Sequence, residues 1–246
     1  LAVDCMGSET SLNEILEGIN ESALRHENLF FTLFGKSVDI NNIIKNISPL
    51  NLRSEVINCD EQILMTDKPT DAIRVKKNSS MQLSIDHVSS GKSHAVLSCG
   101  NTGALMAISL IKLRTIASIK RPSIASIWPN IKGESIVLDL GANIKNDTIS
   151  LIDNAILGSA LAKVLFDMAE PTIGLLNIGI EEMKGNENVQ NASEILTEMS
   201  NKKQLNYFGF VEGADISNGR TNVVVTDGFT GNIALKTAEG TAFMVQ

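Results

Sequence analysis

Nine short runs of aliphatic and β-branched residues recur along the chain, and between most of them the apolar residues fall three and four apart. Period two giving way to period 3.6 marks strands alternating with helices. The strand-like runs are Leu1–Asp4, Leu29–Phe34, Glu55–Cys59, His94–Cys99, Ser123–Trp128, Ser135–Leu140, Thr172–Ile178, Asn206–Val211 and Asn222–Thr226. Two helical patterns are clear. From Asn186 to Lys202, Val189, Ala192, Ile195, Leu196 and Met199 form one stripe, with Glu187, Glu194, Glu198 and Lys202 off it. From Asp147 to Phe166, Ile152, Ala155, Ile156, Ala160 and Leu165 share a broader apolar face. This alternation predicts an α/β fold of right-handed βαβ units, a three-layer arrangement with a mostly parallel sheet and helices on both faces. No repeat, low-complexity run or Pro/Ser-rich linker divides residues 1–246, which read as a single domain. The chain opens at Leu1 inside a strand-like run and stops at Gln246 inside a helical pattern, so it reads as a fragment cut at both ends.

In sheets of this kind ligands bind beyond the carboxyl ends of the strands. The glycines gather there. One loop is Cys99-Gly100-Asn101-Thr102-Gly103-Ala104, another Asp139-Leu140-Gly141-Ala142-Asn143, a third Asn177-Ile178-Gly179 leading to Lys184-Gly185-Asn186-Glu187, and the last Thr226-Asp227-Gly228-Phe229-Thr230-Gly231-Asn232. Each sets glycine and asparagine near a predicted helix start, where free N–H groups and the helix dipole favour an anion. Taken singly, Gly, Asn and Asp are also ordinary turn and cap formers. Four such loops on one predicted edge point more firmly to a ligand.

Spacing excludes several chemistries. No two glycines are separated by a single residue, so GxGxxG is absent, and with it the dinucleotide fingerprint. Gly35-Lys36-Ser37 and Gly91-Lys92-Ser93 imitate a P-loop tail, but Phe30 and Asp86 stand where the earlier glycine belongs. GxSxG is missing too. His26, His87 and His94 lack metal-ligand spacing and read as structural or surface residues, so no metal and no cofactor are expected. Cys5, Cys59 and Cys99 are odd in number and show no CxxC, which argues against a disulfide framework or zinc site and suits a reducing, cytosolic compartment. Cys99 adjoins a ligand-like loop but has no basic neighbour in sequence to activate it. The apolar stretch around Ala104–Ile111 is too short to span a membrane. A net charge of −7 repels polyanions and argues against general nucleic-acid binding. What remains is an anion-binding edge without a nucleotide motif or covalent nucleophile, which suits chemistry in which the anion itself reacts.

At these loops the sequence resembles the bacterial phosphate acyltransferases of phospholipid synthesis. The matching segments are Ala2–Gly7, Lys76–Met81, Gly100–Met106, Arg121-Pro122, Leu138–Asn143, Gly174–Gly179, Lys184–Glu187, Val211–Gly213 and Asp227–Asn232 through Thr237, in order and at the family's approximate spacing. Two departures stand out. Ser8-Glu9-Thr10 replaces the second glycine and aspartate that usually follow Met6-Gly7, and the family's further C-terminal glycine-rich segment lies beyond Gln246.

The resemblance implies an isocitrate/isopropylmalate dehydrogenase-like or phosphotransacetylase-like fold. It implies a reaction in which inorganic phosphate attacks the thioester of an acyl-[acyl carrier protein]. Phosphate is its own nucleophile and a thiol of pKa about 8.5 leaves readily, so positioning and electrostatics carry the catalysis. By motif position, Asn101, Thr102 and the Gly100/Gly103 backbone are expected to cradle phosphate or the oxyanion, with Asn232, Thr230 and the Gly228/Gly231 turn opposing them. Lys184 and Lys77 are candidates for charge neutralisation, Asp227 for orienting a donor, and Asn78, Ser79, Asn143 and Asn186 for further anion contacts. From Asn101 through Gly133 there is no acidic residue, while Lys112, Arg114, Lys120, Arg121 and Lys132 are basic. This stretch is a candidate dock for an acidic carrier; a solvated basic helix face is the other reading. Homodimerisation and peripheral contact at the inner membrane face are implied by resemblance alone. Two alternatives stay open: a phosphotransacetylase-like enzyme on small acyl-coenzyme A, and a non-catalytic binder of acyl ligands. A metal-dependent decarboxylating dehydrogenase shares the broad architecture but lacks its aspartate cluster here.

Overall fold

Every one of the nine predicted runs contributes a strand, but they pair into two sheets and not one. The computed structural model describes residues 1–116, 118–145, 147–181 and 183–245, and Leu1–Ile116 and Ala117–Gln246 form separate compact units. The first contains β1 (Ala2–Asp4), α1 (Leu12–Arg25), β2 (Phe31–Gly35), α2 (Ser37–Ile44), β3 (Ser54–Asn58), α3 (Pro69–Arg74), α4 (Ser80–Ser89), β4 (Val96–Ser98) and α5 (Thr102–Lys112). The second contains β5 (Ala125–Asn130), β6 (Gly133–Leu138), α6 (Thr148–Phe166), β7 (Thr172–Leu176), α7 (Glu187–Asn201), β8 (Asn206–Val211), α8 (Gly213–Ser217), β9 (Val223–Val225) and α9 (Gly228–Val245).

In the first unit all strands are parallel, in the order β3-β2-β1-β4. Side chains alternate between two covered faces, as a doubly buried parallel sheet requires. Val3, Phe31 and Leu33 pack with Leu16 and Ile19 of α1 and Ile40 of α2. On the opposite face, Ala2 and Phe34 meet Leu83 and Val88 of α4, and α4 packs on α5 through Met81, Ile85, Ala104 and Ile108.

The second sheet runs β5-β6-β9-β7-β8 and is parallel except for β5, which forms an antiparallel hairpin with β6. Pro129 sits in β5, where an edge strand tolerates the missing donor. Ile136, Leu138, Val223 and Val225 point to α6 and α7, while Val137 and Val224 point to α8 and to Leu235 of α9. Among the described residues α6 alone is long and apolar enough to cross a membrane, longer than the Ala104–Ile111 stretch, and it packs on this sheet through Leu151, Ala155 and Ala162. The fold class is the predicted three-layer α/β. The single edge is corrected: the Gly100 loop belongs to the first sheet and the other three glycine loops to the carboxyl ends of β6, β7 and β9.

Candidate active site

At the carboxyl end of the first sheet the chemistry gathers around Asp4, a residue that motif reading passed over. Asp4 is 2% exposed. Its carboxylate accepts from Ser80 Oγ at 2.5 Å, from Ser98 Oγ at 2.7 Å and from the Met6 N–H at 3.2 Å. Ser80 is the first residue of α4, so the carboxylate also lies at a helix N-terminus, where the dipole favours it. Burial nevertheless dominates and pushes the Asp4 carboxyl above its ordinary range. The signal was present in the matched segment Ala2–Gly7: an acidic residue closing an otherwise apolar strand.

Beside it, Gly100 donates its N–H to Ser98 Oγ and α5 begins. Asn101 is the N-cap, with Oδ1 accepting from the Ala104 N–H at 3.0 Å. Its Nδ2 is aimed at the carbonyls of Leu64, Met65 and Asp67, at 3.2, 3.0 and 3.0 Å. The amide therefore holds the β3–α3 loop against α5. Asp67 in that loop is held below the usual carboxylate range by Lys76 and by the Leu64 N–H. The N–H groups of Thr102 and Gly103, at the first two helical positions, have no intrahelical acceptor. Thr102 is exposed and Asn101 buried, so the loop offers its backbone and the Thr102 side chain outward.

The remaining candidates of this unit lie on the segment leading into α4. Ser79 is the N-cap, its Oγ accepting from the Gln82 N–H. Asn78 is exposed and donates its backbone N–H to Glu61. Lys77 is exposed.

In the second unit, the Gly141-Ala142-Asn143 amides do form an anion nest, but the protein fills it. Asp139, 0% exposed, accepts from the Gly141, Ala142 and Asn143 N–H groups and from Asn143 Nδ2 at 2.8–3.1 Å. Asn143 Nδ2 also donates to the Pro122 carbonyl. The Asn143 amide donors are thus engaged with Asp139 and Pro122. Gly228 donates to the Asn143 carbonyl, and a β-carbon on Gly228 would come within 2.5 Å of that oxygen. Close packing of the α9 start onto this loop explains the glycines there.

Asp227 accepts from the N–H and Oγ1 of Thr230, at 2.9 and 2.8 Å. Asn232 donates to the Leu140 carbonyl at 3.2 Å. Asn186 is the N-cap of α7, its Oδ1 accepting from the Val189 N–H. Glu187 in the first turn of that helix disfavours an anion there. Lys184 pairs with Glu181 at 2.8 Å, and this hydrogen bond raises its pKa. It stays half-exposed. Asn177 binds the Lys184 carbonyl and lies where a Gly185 side chain would project, at φ +94°.

The thiols offer no nucleophile in the core: burial pushes Cys5 up to about 12 and Cys59 to about 11. His87 hydrogen-bonds Ser93 and packs edge-on against Phe34. The basic stretch is free of acids in sequence but not in space. Lys112 pairs with Asp86 at 2.7 Å, and Lys120 and Arg121 help to hold Asp147 below its usual range. Arg114 is exposed, and among the described residues no carboxylate pairs with it.

Both units carry glycine turns at the carboxyl ends of parallel strands. The fold matches the EutD phosphotransacetylase of Staphylococcus aureus with a TM-score of 0.68 at 17% identity, over 98% of this chain and 82% of that one. It matches a branched-chain phosphotransacylase of Enterococcus faecalis with a TM-score of 0.57 at 15% identity, over 96% and 83%. The family model described as fatty acid synthesis protein matches residues 1–246. The phosphate acyltransferase of Azorhizobium caulinodans is 49% identical over 243 residues, 98% of this chain and 68% of that protein. The chain belongs to the phosphate acyltransferase family, and its class of reaction is acyl transfer to phosphate.

Proposed function

We propose that the acyl donor is an acyl-[acyl carrier protein] and that the product is an acyl phosphate for phospholipid synthesis. The observation that carries the site is the start of α5, whose Thr102 and Gly103 N–H groups meet no acceptor among the described residues, while the Gly141–Asn143 nest is filled by Asp139. Phosphate seated there is held by backbone donors and the helix dipole. One of its oxygens forms the new bond to the thioester carbonyl carbon, the tetrahedral oxyanion collapses, and the C–S bond breaks to release thiolate. Thr102 supplies a further hydrogen bond and Lys77 offsets the charge of phosphate and oxyanion; by motif position Lys184 of the second unit is a further candidate for charge neutralisation. In the second unit Thr230, fixed by Asp227, and Asn232 remain the candidates for phosphate or oxyanion contact by motif position. In the basic stretch of the sequence, Arg114 of the first unit and, independently, Lys120 and Arg121 of the second are the candidates to serve the acidic carrier, and this docking weakens with salt. A homodimer and a peripheral place at the inner membrane face complete the reading, both supported by the family resemblance.

Phosphate-dependent loss of thioester, compared between a long-chain acyl carrier protein and acetyl-coenzyme A, tests the donor. Faster turnover of the carrier supports the reading. Faster turnover of acetyl-coenzyme A favours a phosphotransacetylase activity, the second reading, to which the likeness to EutD lends support.

A further inference from the structure

Cys5 and Cys99 follow directly on neighbouring parallel strands. The ladder between β1 and β4 pairs Ala2 with Val96, Val3 with Leu97 and Asp4 with Ser98, so its next step sets Cys5 beside Cys99. Such neighbours lie about 4.8 Å apart, inside the roughly 4.4–6.8 Å between α-carbons that a disulfide spans. Both side chains are on the face that α1 covers. Cys5 belongs with Val3, two residues before it, to the apolar cluster under that helix. Cys99 lines a groove beside α1 together with Val3 and with Leu97, again two residues before it.

Cys59 has neither relation to them. β2 lies between β3 and β1, and two strand spacings make about 9–10 Å, beyond the ~7 Å at which bridging fails. Cys59 also packs with Ala2 and Phe34, on the opposite face of the sheet.

The paired thiols differ in access. Cys99 is exposed and Cys5 is buried. The groove of about 360 Å³, bordered also by Thr10, Glu14 and Ser22, leads solvent to Cys99. Burial, and after it the Asp4 carboxylate, push the Cys5 thiol up to about 12, and Cys99 adds to that rise, so the two groups lie within electrostatic reach.

We propose that Cys5 and Cys99 form a redox-modification site, closing to an intramolecular disulfide when the chain meets a peroxide. Cys99 reacts first. Its thiolate sulfur attacks one peroxide oxygen, the O–O bond breaks, hydroxide leaves and a sulfenic acid remains. The Cys5 sulfur then attacks the Cys99 sulfur, the S–O bond breaks, and the departing hydroxide takes the Cys5 proton as water. The two thiols together lose two electrons, and the peroxide is reduced to two molecules of water. The scarcity of Cys5 thiolate makes the second step the slow one. The bond ties the Asp4–Met6 turn to Gly100, next to the α5 cap Asn101. Its consequence for phosphate, and that alone, rests on the acyl-transfer reading.

Peptide mapping of the native chain after hydrogen peroxide, with no denaturant, tests the site. The expected product is a Cys5–Cys99 link that dithiothreitol reverses, preceded by a sulfenic acid on Cys99 that dimedone traps. Cys59→Ser is expected to keep the link. Cys5→Ala and Cys99→Ser are expected to abolish it, the second at an exposed position that leaves the fold undisturbed. The closed chain should unfold at higher urea than the reduced one, and its KM for phosphate should rise several-fold until dithiothreitol restores it. A link through Cys59, a link between two chains through Cys99, Cys99 oxidised past sulfenic acid beside a Cys5 thiol, or a link that forms only in denaturant overturns the proposal. A Cys5–Cys99 link with an unmoved KM keeps the disulfide site and removes its control over phosphate.

Discussion

Gly231 stands directly against Asp139: a β-carbon on Gly231 would lie 2.0 Å from the Asp139 carbonyl oxygen. That contact seats the first turn of α9 on the loop that follows β6, and backbone cannot yield as a flexible side chain can. Gly231→Ala is expected to cost about 1–3 kcal/mol, the range for overpacking a close contact. Gly240, on the same helix with nothing within 4 Å, is the control. Gly240→Ala should leave stability unchanged or raise it by up to ~1 kcal/mol. Urea unfolding midpoints of the two variants compare them.

Asn101 acts through what it holds. Asn101→Ala removes the cap of α5 and leaves the Leu64, Met65 and Asp67 carbonyls without their donor. Stability should fall by about 1–3 kcal/mol, and amide exchange across Leu64–Asp67 should accelerate. Unchanged protection of that loop would refute the positioning role.

The Thr102 N–H is separable from its hydroxyl. Proline is well tolerated at the first helical position, and the preceding Asn101 already has extended backbone, with ψ near 107°. Thr102→Pro should therefore keep the fold yet lose both groups, while Thr102→Ala loses the hydroxyl alone. The expected kcat/KM for phosphate falls about 10²-fold in the proline variant, the scale of one lost oxyanion donor, and much less in the alanine variant. Equal losses would place the contribution on the hydroxyl.

Asp4 makes stability depend on pH. Its folded pKa lies above the ordinary 3.8, so its contribution is fully present below that value and is lost as pH rises through the raised pKa. Asp4→Asn removes the titration. Melting temperatures of the native chain and the variant, followed from about pH 4 to 7, should diverge as pH rises, with the native chain losing ground. A difference that grew in the native chain's favour would contradict the burial-dominated shift.

Lys184 and Glu181 are exposed, and their pairing adds little to stability. Lys184→Gln should leave the melting temperature nearly unchanged and raise the KM for phosphate. Glu181→Gln, which frees the ammonium, should not raise it. A KM unmoved by Lys184→Gln removes that lysine from the account.

Much of the fold was legible in the chain. All nine strands and the segments of α6 and α7 follow from local pattern, because period and β-branching act within a few residues. The division into two sheets was not legible, since alternation along the chain says nothing about which strands pair. The β5–β6 hairpin left a sign in the brief connection between its two runs, too short for a crossover helix. At the site, Asn101, Asn143 and Asn186 were legible as special but not in role. Whether an asparagine amide meets a ligand or a carbonyl depends on residues such as Leu64 and Pro122, which lie 37 and 21 positions away. Asp139 filling its own nest and Asp4 gathering Ser80 and Ser98 from distant segments are tertiary facts of the same kind.

The central claim is that phosphate itself attacks a carrier-bound acyl thioester. Phosphorus-31 resonance of the chain mixed with palmitoyl-[acyl carrier protein] and inorganic phosphate tests it most directly. The account predicts an acyl phosphate signal that grows as free carrier thiol appears, that requires phosphate, and that falls steeply in Thr102→Pro. Release of thiol at the same rate without phosphate, with no acyl phosphate formed, would contradict it.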